Sequence, residues 1–596
     1  MESSSGEGSM AEQQPPRRRK GGMLTMPFII ANEAFEKVAS YGLLPNMILY
    51  LIRDYNFGVA KGTNALFLWS SATNFTPLFG AFLSDSYLGR FLTIIVGSII
   101  SLLGMILFWL TAMLPKVKPP PCNPLNPQTC KSATPSQYTL LYSSFALMSV
   151  GAGGIRPCSL AFGADQFDNK NNPKNEKVLE SYFGWYYASA TTAVLIALTA
   201  FVYIQDHKGW KVGFGVPVIL MFFSALLFVL ASPLYIKQKV KCSLFTSFAQ
   251  VIVVTYKNRK LAIPPQNSGQ WYHPKDSDIV VPSDKLRFFN KACIKRNPTE
   301  INPDPWSLCT VEQVEELKSL IKVVPMWSTG IMAALNLSQT SFPLLQASSM
   351  DRHVTSTFQI PAGSFGMFTI ITITVWVILY DRAILPLASK IRGKTVHIGV
   401  KQRMGTGLLF SCMAMAVSAI VEHVRRKKAI EQGFQNSPHA VLSMSAMWLV
   451  PQYCILGLAE ALNAIGQTEF YYTELPKSMS SVASSLFGLT MAVANLLASV
   501  VLSAVDNVTK GDGNEGWISS NINKGHYEYY YWLLAILSSI NLLYFLVCSW
   551  AYGPTVDYIK RVANNEKKDM EMDEKMSKLG NGVRDGGESV EELPKI

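Results

Sequence analysis

Twelve long apolar runs, separated by short polar gaps, govern what this chain can become. A helix of about 20 apolar residues matches the roughly 30 Å hydrocarbon core of a bilayer. Inside that core each backbone N–H and C=O needs a partner within its own segment, which selects helices. The runs lie at about 23–51, 65–87, 91–114, 139–163, 183–204 and 211–236, then at 317–346, 362–388, 404–422, 442–470, 483–505 and 528–552. Six and six around a polar stretch predicts two six-helix bundles, with a binding site between them near the midplane. The expected divisions are a tail 1–22, a bundle 23–236, a central loop 237–316, a second bundle 317–553 and a tail 554–596.

Composition agrees with this all-α polytopic reading. Only 16% of residues are charged, against about 25% in soluble domains. The net charge of +12 does not signal nucleic acid, because the basic residues flank apolar helices. They vote for orientation instead. Arg17, Arg18, Arg19 and Lys20 precede the first run, and between Lys237 and Glu300 twelve Lys/Arg outweigh four acids. Both termini and the central loop are therefore expected in the cytoplasm, in the plasma membrane or alternatively the tonoplast. One stretch dissents: Arg425-Arg426-Lys427-Lys428 falls in a gap on the expected outside. No cleavable leader is expected at the N-terminus. Asn507 heads a glycosylation sequon on the expected outer face, and Cys122 and Cys130 share a Pro-rich loop where a disulfide is plausible chemistry. No zinc spacing, HExxH motif or catalytic serine elbow is evident, so neither a cofactor nor an enzyme is expected.

The first run contains Glu33, Glu36 and Lys37, one face of a helix at spacings of three and four. Each charge at the centre of a membrane costs about 2.5–3.5 kcal/mol even on lenient scales. Such groups face a water-filled cavity or one another and mark ion or proton paths; the alternative is a static network holding the helix. Span four carries a lone cation, Arg156, beside Gly151, Gly153 and Gly154. Between spans two and three the chain reads Gly80-Ala-Phe-Leu-Ser-Asp85-Ser-Tyr-Leu-Gly89-Arg90. Asp85, Gly89 and Arg90 can form a latch between helix ends or a plain turn. Thr93, three residues after Arg90, has the spacing that basophilic kinases accept, and is otherwise an ordinary helix threonine.

This last loop resembles the signature loop of the major facilitator superfamily. Glu33-x-x-Glu36-Lys37 resembles the ExxE[K/R] motif of proton-coupled oligopeptide and nitrate transporters, the plant nitrate transporter 1/peptide transporter family. The best-matching segments look like its first subfamily, and the resemblance covers nearly the whole chain. It implies the major facilitator fold, proton symport by alternating access, and proton handling by Glu33, Glu36 and Lys37. It also implies that Arg156 pairs with a span-ten glutamate. The matching residue is Glu474, in Phe470-Tyr-Tyr-Thr-Glu474-Leu-Pro. That pair would gate the inner side or be permanent.

Span five departs from the family's FYxxINxGS: Thr191 and Ala193 replace its Asn and Gly, although Tyr186 and Tyr187 remain available to line a cavity. Span seven has no His where some nitrate carriers of the family have one; Leu337 stands there. Trp327, Asn336 and Gln339 are the candidate pocket residues on that span. The expected substrate is nitrate, carried with more than one proton because each charge costs about 2.3 kcal/mol per 100 mV. The rivals are a gibberellin-like hormone, a di- or tripeptide, or a receptor that binds without transport.

Overall fold

The computed structural model describes residues 21–120, 131–167, 175–237, 244–265, 268–273, 281–295, 304–393, 398–510 and 516–555. Cys122 and Cys130 lie outside them. The helices are α1 (Met26–Arg53), α2 (Val59–Leu83), α3 (Gly89–Met113), α4 (Pro135–Phe167), α5 (Asn175–Ile196), α6 (Val202–Leu230), α7 (Leu244–Lys257), α8 (Val311–Leu337), α9 (Ser341–Ser348), α10 (Met367–Leu379), α11 (Leu385–Arg392), α12 (Val400–Glu431), α13 (Val450–Glu474), α14 (Ser480–Thr509) and α15 (Tyr527–Tyr552).

Among the described residues nine segments are long and apolar enough to cross a bilayer. Two of these, Val59–Met113 and Lys177–Leu230, run 55 and 54 residues, twice a membrane's need. Each contains a break at a left-handed glycine, Gly89 or Gly209, both with φ of 75°. Each therefore crosses twice, and α1, with its charged cluster, makes the twelfth crossing. The seventh crossing ends at Leu337, short of the expected 346; α9 is a separate helix of about two turns beyond it.

Within the first half, α3 packs on α4 and α6, α2 on α4, and α1 on α5 and α6. Small residues make the closest contacts. A Cβ on Gly97 would lie 2.8 Å from the Gly151 carbonyl oxygen, and one on Gly80 would overlap that of Gly153. Pro157 has no N–H to give its i−4 carbonyl, which is Gly153, so α2 approaches α4 where its ladder is open. In the second half, α12 packs on α13 and α15, α10 on α13, and α14 and α15 on α8.

The two halves meet mainly along α2 and α14. Ser71 Oγ donates to the Ala492 carbonyl at 2.9 Å, and Asn64 Nδ2 to Ser503 Oγ at 3.2 Å. The later part of α1 also packs with Leu344, Ala347 and Phe365 in one buried cluster. The halves are thus joined on the side where α1 ends and α2 begins.

Two sequence expectations change. The run Arg425-Arg426-Lys427-Lys428 is not a loop, because α12 continues to Glu431. Arg425 is wholly buried on Glu422, and Arg426 pairs with Glu528 at 3.3 Å. Two of the four charges that dissented from the expected orientation are therefore internal ion-pair partners. The central stretch is not only a polar linker. Phe248, Val251 and Val254 of α7 join Trp271, Cys293, Ile294 and Cys309 in a buried cluster continuous with α8, α12 and α13.

Candidate functional site

A cavity of about 370 Å3 lies between the halves. The first half contributes Ser40, Tyr41, Trp69, Asn74 and Arg156; the second contributes Asn336, Gln339, Gln452, Tyr453 and Glu460. Much of the remaining wall is apolar, including Met105, Leu198, Phe487 and Met491.

The α1 cluster sits beside this cavity. Glu33 and Glu36 are 3% and 1% exposed. Lys37 Nζ lies 3.4 Å from Glu33 Oε1 and 4.0 Å from Glu36 Oε2. The helical spacing that suggested one face delivers both contacts. Arg156 reaches across from α4, its Nε donating to Glu36 Oε1 at 3.4 Å. Ser40 Oγ donates to the same oxygen at 2.6 Å. Tyr186 stands next to Glu33. Two carboxylates and two cations sum to zero when all are ionised. One oxygen of each carboxylate, Glu33 Oε2 and Glu36 Oε2, is buried without a hydrogen-bond partner. An unpartnered buried carboxylate oxygen accepts a proton at no loss of an existing bond.

The expected Arg156–Glu474 pair is not made. Glu474 is the last residue of α13, accepts from Tyr552 Oη at 2.7 Å, and lies 3.7 Å from Lys322 Nζ. Arg156 stands 11 residues, about 16 Å, from the end of α4. The two residues are thus placed at different depths, and the halves are joined on the other side. The α13 carboxylate that shares the cavity with Arg156 is Glu460, one residue in an otherwise apolar stretch, Leu458-Ala-Glu460-Ala-Leu462. The rule that singled out Glu33 applies equally to Glu460, and would have found it.

Other predicted residues divide. Asn336 and Gln339 line the cavity. Trp327 does not; its Nε1 donates to the Leu486 carbonyl at 3.1 Å, between α8 and α14. Tyr186 is 5% exposed and packed with Phe167 and Tyr182, whereas Tyr187 is 59% exposed. Adjacent residues on a helix point about 100° apart, so the pair cannot share a wall. Arg90 makes its latch with Asp165 of α4, Nη1 to Oδ2 at 2.6 Å, rather than with Asp85. Gly89 supplies the positive φ that frees the chain there. Thr93 is 3% exposed and donates to the Gly89 carbonyl at 2.9 Å, in the α3–α4 seam, where a kinase has no access without separating the helices. Asn507 is exposed in the last turn of α14.

The sequence profile of the POT family (PTR2) matches residues 91–518. Protein NRT1/PTR FAMILY 1.2 of Arabidopsis thaliana is 66% identical over 556 residues, covering 91% of this chain and 92% of the relative. Protein NRT1/PTR FAMILY 1.1 of the same plant is 65% identical over 560 residues, covering 92% and 95%. Among solved structures, an auto-inhibited POT family peptide transporter superposes with a TM-score of 0.66 at 20% identity, covering 88% of this chain and 96% of that one. A POT family transporter in complex with 5-aminolevulinic acid gives 0.59 at 12% identity, covering 90% and 99%. With the profile spanning more than half of its length and two-thirds identity over nearly all of it, this chain belongs to the POT family of membrane transporters, and has their fold.

Proposed function

We propose that this protein is a proton-coupled symporter that imports nitrate by alternating access across the plasma membrane, with both termini in the cytoplasm. The charge-balanced cluster of Glu33, Glu36, Lys37 and Arg156 at the cavity carries this reading. Fully ionised it is neutral and holds an anion weakly. One added proton leaves it at +1, and Arg156, on the cavity wall, then has charge to spare for an anion. Arg stays protonated throughout, so the switching proton goes to a carboxylate. Loss of that proton on the inner side restores the Arg156–Glu36 bond and releases the anion. Proton binding and anion binding thereby assist each other, as reciprocal linkage requires. The packing of the halves where α1 ends supports an inward-facing conformation.

The test is uptake into proteoliposomes of labelled nitrate driven by an inward proton gradient. Uptake is expected to follow the gradient and to collapse with it. Glu33→Gln and Glu36→Gln proteins that retain gradient-driven, pH-dependent uptake would sink the assignment.

A second reading keeps the coupling and changes the cargo to an organic carboxylate, such as a gibberellin or a di- or tripeptide. The cavity favours it: about 370 Å3 with apolar walls exceeds what a small planar anion fills, and Glu460 adds a carboxyl group that can accept from a donor on an organic substrate. Cross-competition of nitrate, gibberellin and dialanine for uptake separates the two.

A further inference from the structure

Helix α7, in the connector between the halves, is apolar on two sides. Phe248, Val251 and Val254 form one side and lie in the buried core that it shares with α8, α12 and α13. Ala249, Ile252, Val253 and Tyr256 form the other, at spacings of three and four, and face out of the protein. Ile252 is 53% and Tyr256 65% exposed. A helix that merely braces α8 needs one apolar stripe and turns a polar face outward. A second stripe left bare marks a surface that meets something apolar.

Charge narrows what that is. The sequence of α7 contains no acidic residue, and Lys257, Arg259 and Lys260 stand exposed at its C-terminal end. Exposed aromatic residues there are set beside bases. The Arg259 guanidinium carbon lies 4.4 Å from the centre of the Tyr256 ring, and Lys291 Nζ lies 5.9 Å from that of Phe288. Lys257 Nζ donates to the carbonyl of Trp306 at 3.1 Å, and Phe288 and Trp306 are both exposed. Tyr and Trp settle where hydrocarbon meets water, and Lys and Arg lay their stems on apolar surface while the charge reaches outward.

Position narrows it further. The charged residues of α8 crowd its first turns, from Glu312 to Lys322, so the hydrocarbon core begins beyond them. Helix α7 packs on Val311, Val314 and Leu317 in those same turns, and its Phe245 ring meets Phe82, next to the last residue of α2. Both contacts hold α7 at the surface of the bilayer that the spans cross. We infer that α7 is a lipid-binding element: Ile252, Val253 and Tyr256 seat in the boundary between headgroups and acyl chains, while Lys257, Arg259 and Lys260 hold the headgroups of anionic phospholipids. On the orientation proposed above this is the cytoplasmic leaflet, whose surface is negative. The inference concerns a surface away from the cavity and holds whatever the cavity carries.

The experiment uses the full chain in nanodiscs of equal parts phosphatidylcholine and phosphatidylserine. Ile252 is replaced by the photoreactive benzoylphenylalanine, and the cross-linked products are identified by mass spectrometry. The expected products are lipid adducts in which phosphatidylserine exceeds phosphatidylcholine about fivefold, what one base gains at one anionic headgroup. Adding Lys257→Gln, Arg259→Gln and Lys260→Gln should bring that ratio to about one. The same photoreactive residue in place of Leu543, exposed on α15, should label both lipids equally with and without the three changes, which shows that each protein is folded and inserted. Position 252 giving no lipid adduct while position 543 does would overturn the inference. So would adducts to residues 554–596 or to a second copy of the chain in place of lipid, or a phosphatidylserine preference that the three changes leave intact.

Discussion

Replacing Glu36 by Gln separates proton coupling from anion binding in one step. Glu36 is the residue on which Arg156 at 3.4 Å, Lys37 at 4.0 Å and Ser40 at 2.6 Å converge. Gln keeps the shape and can still accept from Ser40, but it removes one negative charge, so with Glu33 ionised the cluster sits at +1. For an anion held about 6 Å from that charge, an effective dielectric constant of about 20 gives an attraction of about 2.8 kcal/mol. That is about a hundredfold in affinity. The assay is nitrate binding to purified protein at neutral and acidic pH, alongside counterflow and gradient-driven uptake in proteoliposomes. The expected result at neutral pH is binding up to about a hundredfold tighter than wild type. Affinity should depend far less on pH than in wild type, with only Glu33 left to titrate, exchange should survive, and concentrative uptake should be lost. Weaker binding at neutral pH, with pH dependence intact, would refute the charge-balance reasoning.

Other outcomes follow from particular contacts. Glu460→Gln should weaken dialanine binding about tenfold, through loss of a carboxylate for its ammonium group, measured by competition. Arg425→Met leaves Glu422 buried without its cation and should cost about 3–5 kcal/mol, read as a lowered midpoint of thermal unfolding in detergent; adding Glu422→Leu should restore most of it. Gly80→Ala forces a methyl group onto the Gly153 carbonyl and should cost about 1–3 kcal/mol or prevent folding, seen as loss of the monodisperse peak on size exclusion. Burial pushes the thiols of Cys293 and Cys309 up to about 12. A raised thiol is protonated below that value, so at about pH 7 the thiolate is about one part in 100,000. Both cysteines should resist maleimide in the folded protein and react once it is unfolded.

The fold was legible because membrane burial imposes a coarse rule that each span obeys separately. Hydropathy located twelve crossings, but not where helices outrun the bilayer, as α12 does through Arg425 and Arg426. A run of four basic residues looks like a loop unless the carboxylates that bury two of them, Glu422 and Glu528, can be placed beside them. The α1 cluster was legible because its partners are three and four residues apart. Its fourth member, Arg156, stands out in the sequence as a lone cation, and in this structure it pairs with Glu36 while Glu474 lies by Lys322. Glu474 and Glu460 differ by 14 residues, about 21 Å of helix, and a sequence match at one end of α13 does not report depth in the membrane. Tyr186, Tyr187 and Trp327 show the same limit: an aromatic residue on a span has several faces to choose from, and only packing chooses.

The connector between the halves has a mechanical consequence. Its helix α7 shares a buried core with α8, α12 and α13, while among the described residues its ring contact with the first half is the T-shaped pair of Phe245 and Phe82, with centroids 6.2 Å apart. A piece fused to one body and merely resting on the other behaves as a doorstop. If the halves rock as the proposed alternating access requires, it travels with the second, and the Phe82–Phe245 contact is made or broken. Whatever binds or modifies α7 from outside therefore pushes on the swing of the whole molecule without entering the cavity.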